Sequence, residues 1–238
     1  MDTARLTGQR VLIVGGARDL GLAIARRVSD AGATALVGAR SIEHAREAAA
    51  TIPGAEAVQV DVTDETSITR ALAQVGDIDH IVVLASAHHN VPVTEFTAEG
   101  LAGAVAAKVT GPLLLAKHAA TVLPPTGSLV LISGVAAWTP TPGYAVMGIT
   151  NGAVSFAASH LAREMAPIRV NAVSPGIIDS GSWDQMDDKQ GFLAGAAAGT
   201  LVGRHGESDD ITEAVVWLLG AGFVTGETVH VDGGARFA

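Results

Sequence analysis

The sequence predicts a single α/β domain, residues 1–238, built on a doubly wound, mostly seven-stranded parallel sheet. Three observations predict it. Short β-branched runs alternate with longer helical patterns along the whole chain. Those runs are apolar at successive positions, as strands are when helices bury both faces of their sheet. The 238 residues, 48% of them hydrophobic, suffice for one sizeable core, and no linker, composition shift or internal repeat divides them.

Val11-Leu12-Ile13-Val14 reads as the first strand. Ala33–Gly38, Ala55–Val60, Ile81–Ala85, Ser128–Ser133, Arg169–Ser174 and Thr228–Val231 follow. Helical patterns fall near residues 20–31, 42–51, 64–75, 100–123, 145–165 and 208–219. Right-handed crossovers then wind the sheet in both directions. Thr63 is placed to cap the helix opening at Asp64-Glu65, whose carboxylates suit its positive end. Ser208 with Asp209-Asp210 repeats the arrangement, and Pro124-Pro125 stops the fourth helix. Residues 179–203 carry no clear period and follow a strand end, so they read as a lid over a ligand crevice.

Composition removes several functions. The chain has no cysteine, which excludes disulfides, thiolate chemistry and cysteine metal sites. A reducing, cytoplasmic setting is compatible with that and is the expected one. A net charge of −9 argues against a nucleic-acid or anionic-membrane binder. Met1–Arg5 shows no signal-peptide core, and no run of about 18 uncharged apolar residues reads as a membrane span. The adjacent His88 and His89 lack metal-ligand spacing, so no metal is expected. Any anion site must be local.

One is visible. The first strand runs into Gly15-Gly16-Ala17-Arg18-Asp19-Leu20-Gly21, and a helix follows. Glycines there let the backbone approach a pyrophosphate, and the helix N-terminus supplies unpaired N–H groups. Such a loop is unspecific alone. Its place between the first strand and a helix makes it the signature of a Rossmann-type dinucleotide fold.

With this turn the chain resembles the short-chain dehydrogenase/reductase family, whose first turn reads T-G-x-x-x-G-x-G. Gly15 and Gly21 match, Val14 stands at the threonine, and Asp19 replaces the middle glycine. The resemblance spans nearly the whole chain. Asp61-Val62 looks like the family's adenine contact. Arg169-Val170-Asn171-Ala172-Val173-Ser174-Pro175-Gly176 looks like its sixth strand and the turn beside the nicotinamide. Gly203-Arg204, Val224-Thr225-Gly226 and Val231-Asp232-Gly233-Gly234 resemble its C-terminal signature. The resemblance implies further cofactor contacts at Ala17, Leu20, Ser41, Ala85 and Ser86. It implies others at Lys108, Asn151, Pro175, Gly176, Ile178 and Ser180.

Charge selects the cofactor. NAD-binding members place a carboxylate at the end of the second strand, where it bonds the ribose 2′-hydroxyl. Here Ala39-Arg40-Ser41 offers no acid, and Arg40 can pair with a 2′-phosphate. Arg18 would form the other side of the clamp. NADP(H) is thus expected over NAD(H). The alternative is two solvated surface arginines.

The family's chemistry uses a Ser, a Tyr, a Lys four residues later and an Asn on the preceding helix; Tyr and Lys share one helix face. Counting back from Arg169-Val170-Asn171 puts the Tyr position at Met147 and the Lys position at Asn151. The Ser position falls on Gly134, beside Ser133, and the Asn position on Lys108. All four are replaced. Taking Tyr144 as the tyrosine would put Gly148 at the lysine, so no register restores the pair. A methionine exchanges no proton, and an amide cannot depress a neighbour's pKa as an ammonium does.

A relocated acid/base set is conceivable from His88 or His89, Lys108 and Tyr144, at or near the expected crevice. Each has a bland alternative: polar loop, helix-face pairing, or packing at the pocket mouth beside Trp138. Trp183, Met186 and Phe192 suggest an apolar wall in the lid. Three functions remain open. One is an NADP(H)-dependent oxidoreductase acting on a small carbonyl or alcohol. The second is a pseudoenzyme or regulatory subunit. The third is a non-redox isomerase, dehydratase or cyclase. The resemblance also implies a homodimer or homotetramer through the fourth and fifth helices, with Leu113, Leu114, Leu115, Val154, Phe156, Ala157 and Leu161 as interface or as ordinary core.

Overall fold

The alternation of strand and helix is realised in a computed structural model that describes residues 6–238. Met1–Arg5, on which the expectation about a leader rests, lie outside the described residues. The strands are β1 (Arg10–Val14), β2 (Thr34–Ala39), β3 (Glu56–Gln59), β4 (His80–Val83), β5 (Ser128–Ile132), β6 (Arg169–Pro175), the short β7 (Ile178–Asp179) and β8 (Gly206–Glu207), and β9 (Thr228–Val231). Seven of them form one parallel sheet in the order β3-β2-β1-β4-β5-β6-β9, as expected. The order reverses between β1 and β4, so a crevice opens at their carboxyl ends, where ligands bind such sheets.

Eight α-helices are described: α1 (Asp19–Asp30), α2 (Ile42–Ala49), α3 (Glu65–Val75), α4 (Ala98–Val105), α5 (Gly111–Val122), α6 (Ala145–Glu164), α7 (Lys189–Ala198) and α8 (Ser208–Gly220). Alternation along the strands makes two apolar layers. Leu12 and Val14 pack with Ile68 of α3, Leu115 of α5 and Val154 of α6. Val11 and Ile13 pack with Ile24 of α1, Ala48 of α2 and Ile211 of α8.

Several local expectations are corrected. Asp64, not Thr63, caps α3: its Oδ1 accepts from Thr66 N at 2.9 Å, while the Thr63 hydroxyl is spent on Asp61 Oδ1 at 2.7 Å. Glu207, not Ser208, caps α8, in a reciprocal box with Asp210. β4 stops at Val83 rather than Ala85. Residues 179–203, which show no clear period in the sequence, contain α7, capped by Asp188. Its Gly- and Ala-rich face buries only Leu193, which is why no period showed.

The long fourth helix is continuous from Ala98 to Val122, with a π turn over Ala106–Thr110 between α4 and α5. Pro112 has no N–H for the carbonyl one turn back, so the ladder widens there. By length and composition this helix is long and apolar enough to cross a membrane, although Lys108 and Lys117 interrupt it, so it holds no run of 18 uncharged residues. Here Leu115, Ala116 and Ala119 pack it on the sheet.

Candidate functional site

The crevice begins at the glycine turn. Gly15 takes φ +91° and donates to Gly38 O at 2.9 Å, which folds the chain back from β1. A methyl group at Gly21 would collide with the Gly15 carbonyl, so turn and helix pack backbone against backbone. No side chain caps α1 at Arg18, which leaves its first N–H groups facing the crevice end of the sheet. These features fit a pyrophosphate. Arg18 is exposed and only loosely paired with Asp19 at 3.8 Å. Arg40 is exposed too, and its carbonyl accepts from Gln59 Nε2 at 3.1 Å. Neither guanidinium is tied to the fold by a hydrogen bond among the described residues.

Other expected cofactor residues are differently placed. The Ser41 hydroxyl accepts from His44 N at 3.2 Å and donates to Glu43 at 2.8 Å, so it caps α2 rather than standing free. Asp61 Oδ1 is held by Thr63. Val62 is buried against Gly111 and can face a ligand only through its backbone. Gly176 N donates to Val231 O at 2.9 Å, fixing the turn after β6. Asp232 lies so close to Gly176 that a methyl there would sit 2.8 Å from the Asp232 Cα.

Of the four replaced positions, Gly134 and Asn151 lie against one another. A methyl at Gly134 would lie 2.7 Å from Asn151 Nδ2, so the amide fills the space that a serine side chain would enter. Ser133 donates to Asn151 O at 2.8 Å and lies 2.9 Å from Ser155 Oγ, a buried polar bridge from β5 to α6. Asn151 is buried, and its carboxamide makes no hydrogen bond to the described residues. Met147 lies one turn above it on α6.

Lys108 sits in the π turn, fully buried, and donates to Ile132 O at 2.7 Å. Burial pushes its ammonium down to about 8. The bond ties it to the end of β5. His89 accepts from Thr97 N at 3.3 Å, and its ring covers Gly100, so it braces the start of α4. His88 is exposed at the crevice, 3.3 Å from Ser86 Oγ. Protein atoms packed around its ring, then the charges of Lys108 and Arg18, hold it below the usual histidine value. Tyr144 is half-buried at the N-terminal end of α6, and its carbonyl accepts from Gly148 N at 2.8 Å. Within residues 179–203, Trp183 donates to Ile178 O at 2.8 Å and stacks obliquely on Phe192, with centroids 4.7 Å apart. Among the described residues no cluster could hold a metal ion.

Sequence reasoning missed two polar groups. Ser174 and His230 are register partners on β6 and β9, and Ser174 Oγ and His230 Nδ1 are buried without partners. Trp138 packs edge-on against His230 at 4.9 Å. Only the strand register brings these residues together, and the motifs alone do not reveal it.

Residues 15–236 match a family model described as enoyl-(acyl carrier protein) reductase. The chain belongs to the short-chain dehydrogenase/reductase family. It is 32% identical to sorbitol dehydrogenase of Cereibacter sphaeroides, over 97% of this chain and 98% of that one. The MalC reductase/Diels-Alderase of Malbranchea aurantiaca superposes with a TM-score of 0.91 at 26% identity, covering 100% of both chains. A small-chain dehydrogenase solved in complex with NADPH superposes with a TM-score of 0.83 at 26% identity, covering 97% of this chain and 99% of that one.

Proposed function

We propose that this family member is an NADP(H)-dependent oxidoreductase acting on a small carbonyl or alcohol, with its proton handled outside the usual tyrosine–lysine pair. The observation that carries the cofactor choice is the end of β2. It presents Ala39 and the untied Arg40 instead of a carboxylate, with Arg18 also untied in the glycine turn. The NADPH-bound relative supports the same choice.

A bound nicotinamide would supply or accept the hydride. This chain must orient the carbonyl and move one proton. His88 is the group best suited to that. It is accessible in the loop after β4, and its lowered pKa favours the neutral ring, which can take the proton of an alcohol as its hydride leaves. Lys108, spent on Ile132 O, then serves to hold β5 and to bias His88 electrostatically. Asn151 offers an amide where the family has an ammonium, and Tyr144 stands at the mouth as a wall. Residues 179–203, pinned by Trp183, act as the lid.

The exposed Leu113 and Phe156 suit a second copy of the chain, whereas Leu115 and Val154 are core. A cytoplasmic homodimer or homotetramer fits the reading. A non-redox cyclase is the second reading, favoured by the replaced acid and by the likeness to a protein described as a reductase/Diels-Alderase. NADPH consumption over a panel of ketones and aldehydes separates the two. Turnover that falls at least about a hundredfold in His88→Ala, with NADPH affinity retained, is expected. Turnover unchanged in that variant removes His88 from the reaction, and product formed without NADPH loss favours the cyclase.

A further inference from the structure

We infer that Asp19 limits how tightly the chain holds a dinucleotide, by keeping a carboxylate in the space a pyrophosphate would enter; this rests on the NADP(H) reading above. Among the described residues Asp19 alone, apart from glycines, has positive φ, at +48°. Glycine takes that backbone freely, and aspartate is among the few residues that tolerate it. The chain thus keeps the glycine-like turn and adds a charge to it. That charge stands on the first residue of α1, beside the open N–H groups that would bind a phosphate.

The carboxylate is poorly neutralised. It makes no hydrogen bond to the described residues, and Arg18 approaches it only to 3.8 Å with its side chain 85% exposed, a pair of little strength. It also reaches toward the lid: a methyl on Gly181 would lie 3.2 Å from Asp19 Oδ1 and 3.7 Å from Asp184 Oδ2. Asp19 therefore lies between the glycine turn and the turn after β7, across from Asp184, whose own charge is paired with Lys189 at 2.7 Å, so the charge left poorly neutralised there is that of Asp19. A pyrophosphate entering there meets negative charge on the helix end that would otherwise attract it. Arg18 cannot relieve this, because in the clamp it is committed to the 2′-phosphate at the far end of the ligand.

The consequence is a cofactor held below the affinity its cradle would give, with a penalty confined to the pyrophosphate. The test compares wild type with Asp19→Asn, which removes the charge and still tolerates positive φ, and with Asp19→Gly. Each is titrated with NADPH and, separately, with adenosine 2′-monophosphate, which carries the 2′-phosphate but no pyrophosphate. NADPH should bind about tenfold tighter to both variants, about 1.4 kcal/mol, and adenosine 2′-monophosphate equally to all three proteins. Unchanged or weaker NADPH binding in Asp19→Asn overturns the inference alone. An equal gain for both ligands overturns it too, because the effect would not lie at the pyrophosphate. Binding of neither ligand to any of the folded proteins overturns the cofactor reading as well.

Discussion

Replacing Lys108 by methionine separates a structural lysine from a chemical one. The side chain is buried, its ammonium donates to Ile132 O at 2.7 Å, and desolvation takes it from 10.5 to about 8. Below pH 8 both folded and unfolded chains carry the proton, so the folded chain bears the whole cost of burying the charge. Between about 8 and 10.5 the folded chain loses the proton while the unfolded chain keeps it, and stability rises with pH. The cost at pH 7 is on the order of 3 kcal/mol, from about 1.4 kcal/mol per unit of displacement. Methionine has a similar length and no charge, and leaves the Ile132 carbonyl without that donor, which returns about 1 kcal/mol. Lys108→Met should thus be more stable than wild type at pH 7 by about 2 kcal/mol. That advantage should shrink and change sign toward pH 10. Urea denaturation of both proteins at several pH values measures the difference. Two parallel stability curves would refute the reasoning, because they would mean that the lysine carries its charge at no cost.

Two further substitutions test the site's packing. Gly134→Ser should destabilise the fold by about 1–3 kcal/mol, because its Cβ would meet Asn151 Nδ2, and adding Asn151→Ala should recover part of that loss. A double-mutant cycle by thermal denaturation measures the coupling, and strict additivity would place the two side chains apart. Arg169→Met should cost about 3 kcal/mol, since the two terminal guanidinium nitrogens donate at 2.7 Å to Leu218 O and Leu219 O at the end of α8. A denaturation midpoint equal to wild type would show those bonds to be dispensable.

The sheet and its glycine turn were legible because they rest on strong local patterns: apolar runs at strand spacing, and glycines between a strand and a helix. Caps slipped by one residue. Asp64 and Glu207 reach the free N–H groups as readily as the hydroxyls beside them, and the sequence does not rank such rivals. The helix within 179–203 was hidden by its small residues. Among site residues, counting sets Gly134 and Asn151 in one site, and the two do lie against each other. What each replacement does was not legible. Lys108 takes its partner from β5, 24 residues on, and His89 is used up at Thr97. Ser174 and His230 meet only across two strands far apart in the chain.

Paired fluorescence titrations with NADPH and NADH test the proposed site for a 2′-phosphorylated dinucleotide at the glycine turn and the end of β2. NADPH should bind at least about tenfold tighter than NADH, as expected of charge-assisted bonds to phosphate, with the gap closing when Arg18 and Arg40 are both replaced by alanine. Equal affinity for the two cofactors, or a gap that survives the double substitution, would contradict it.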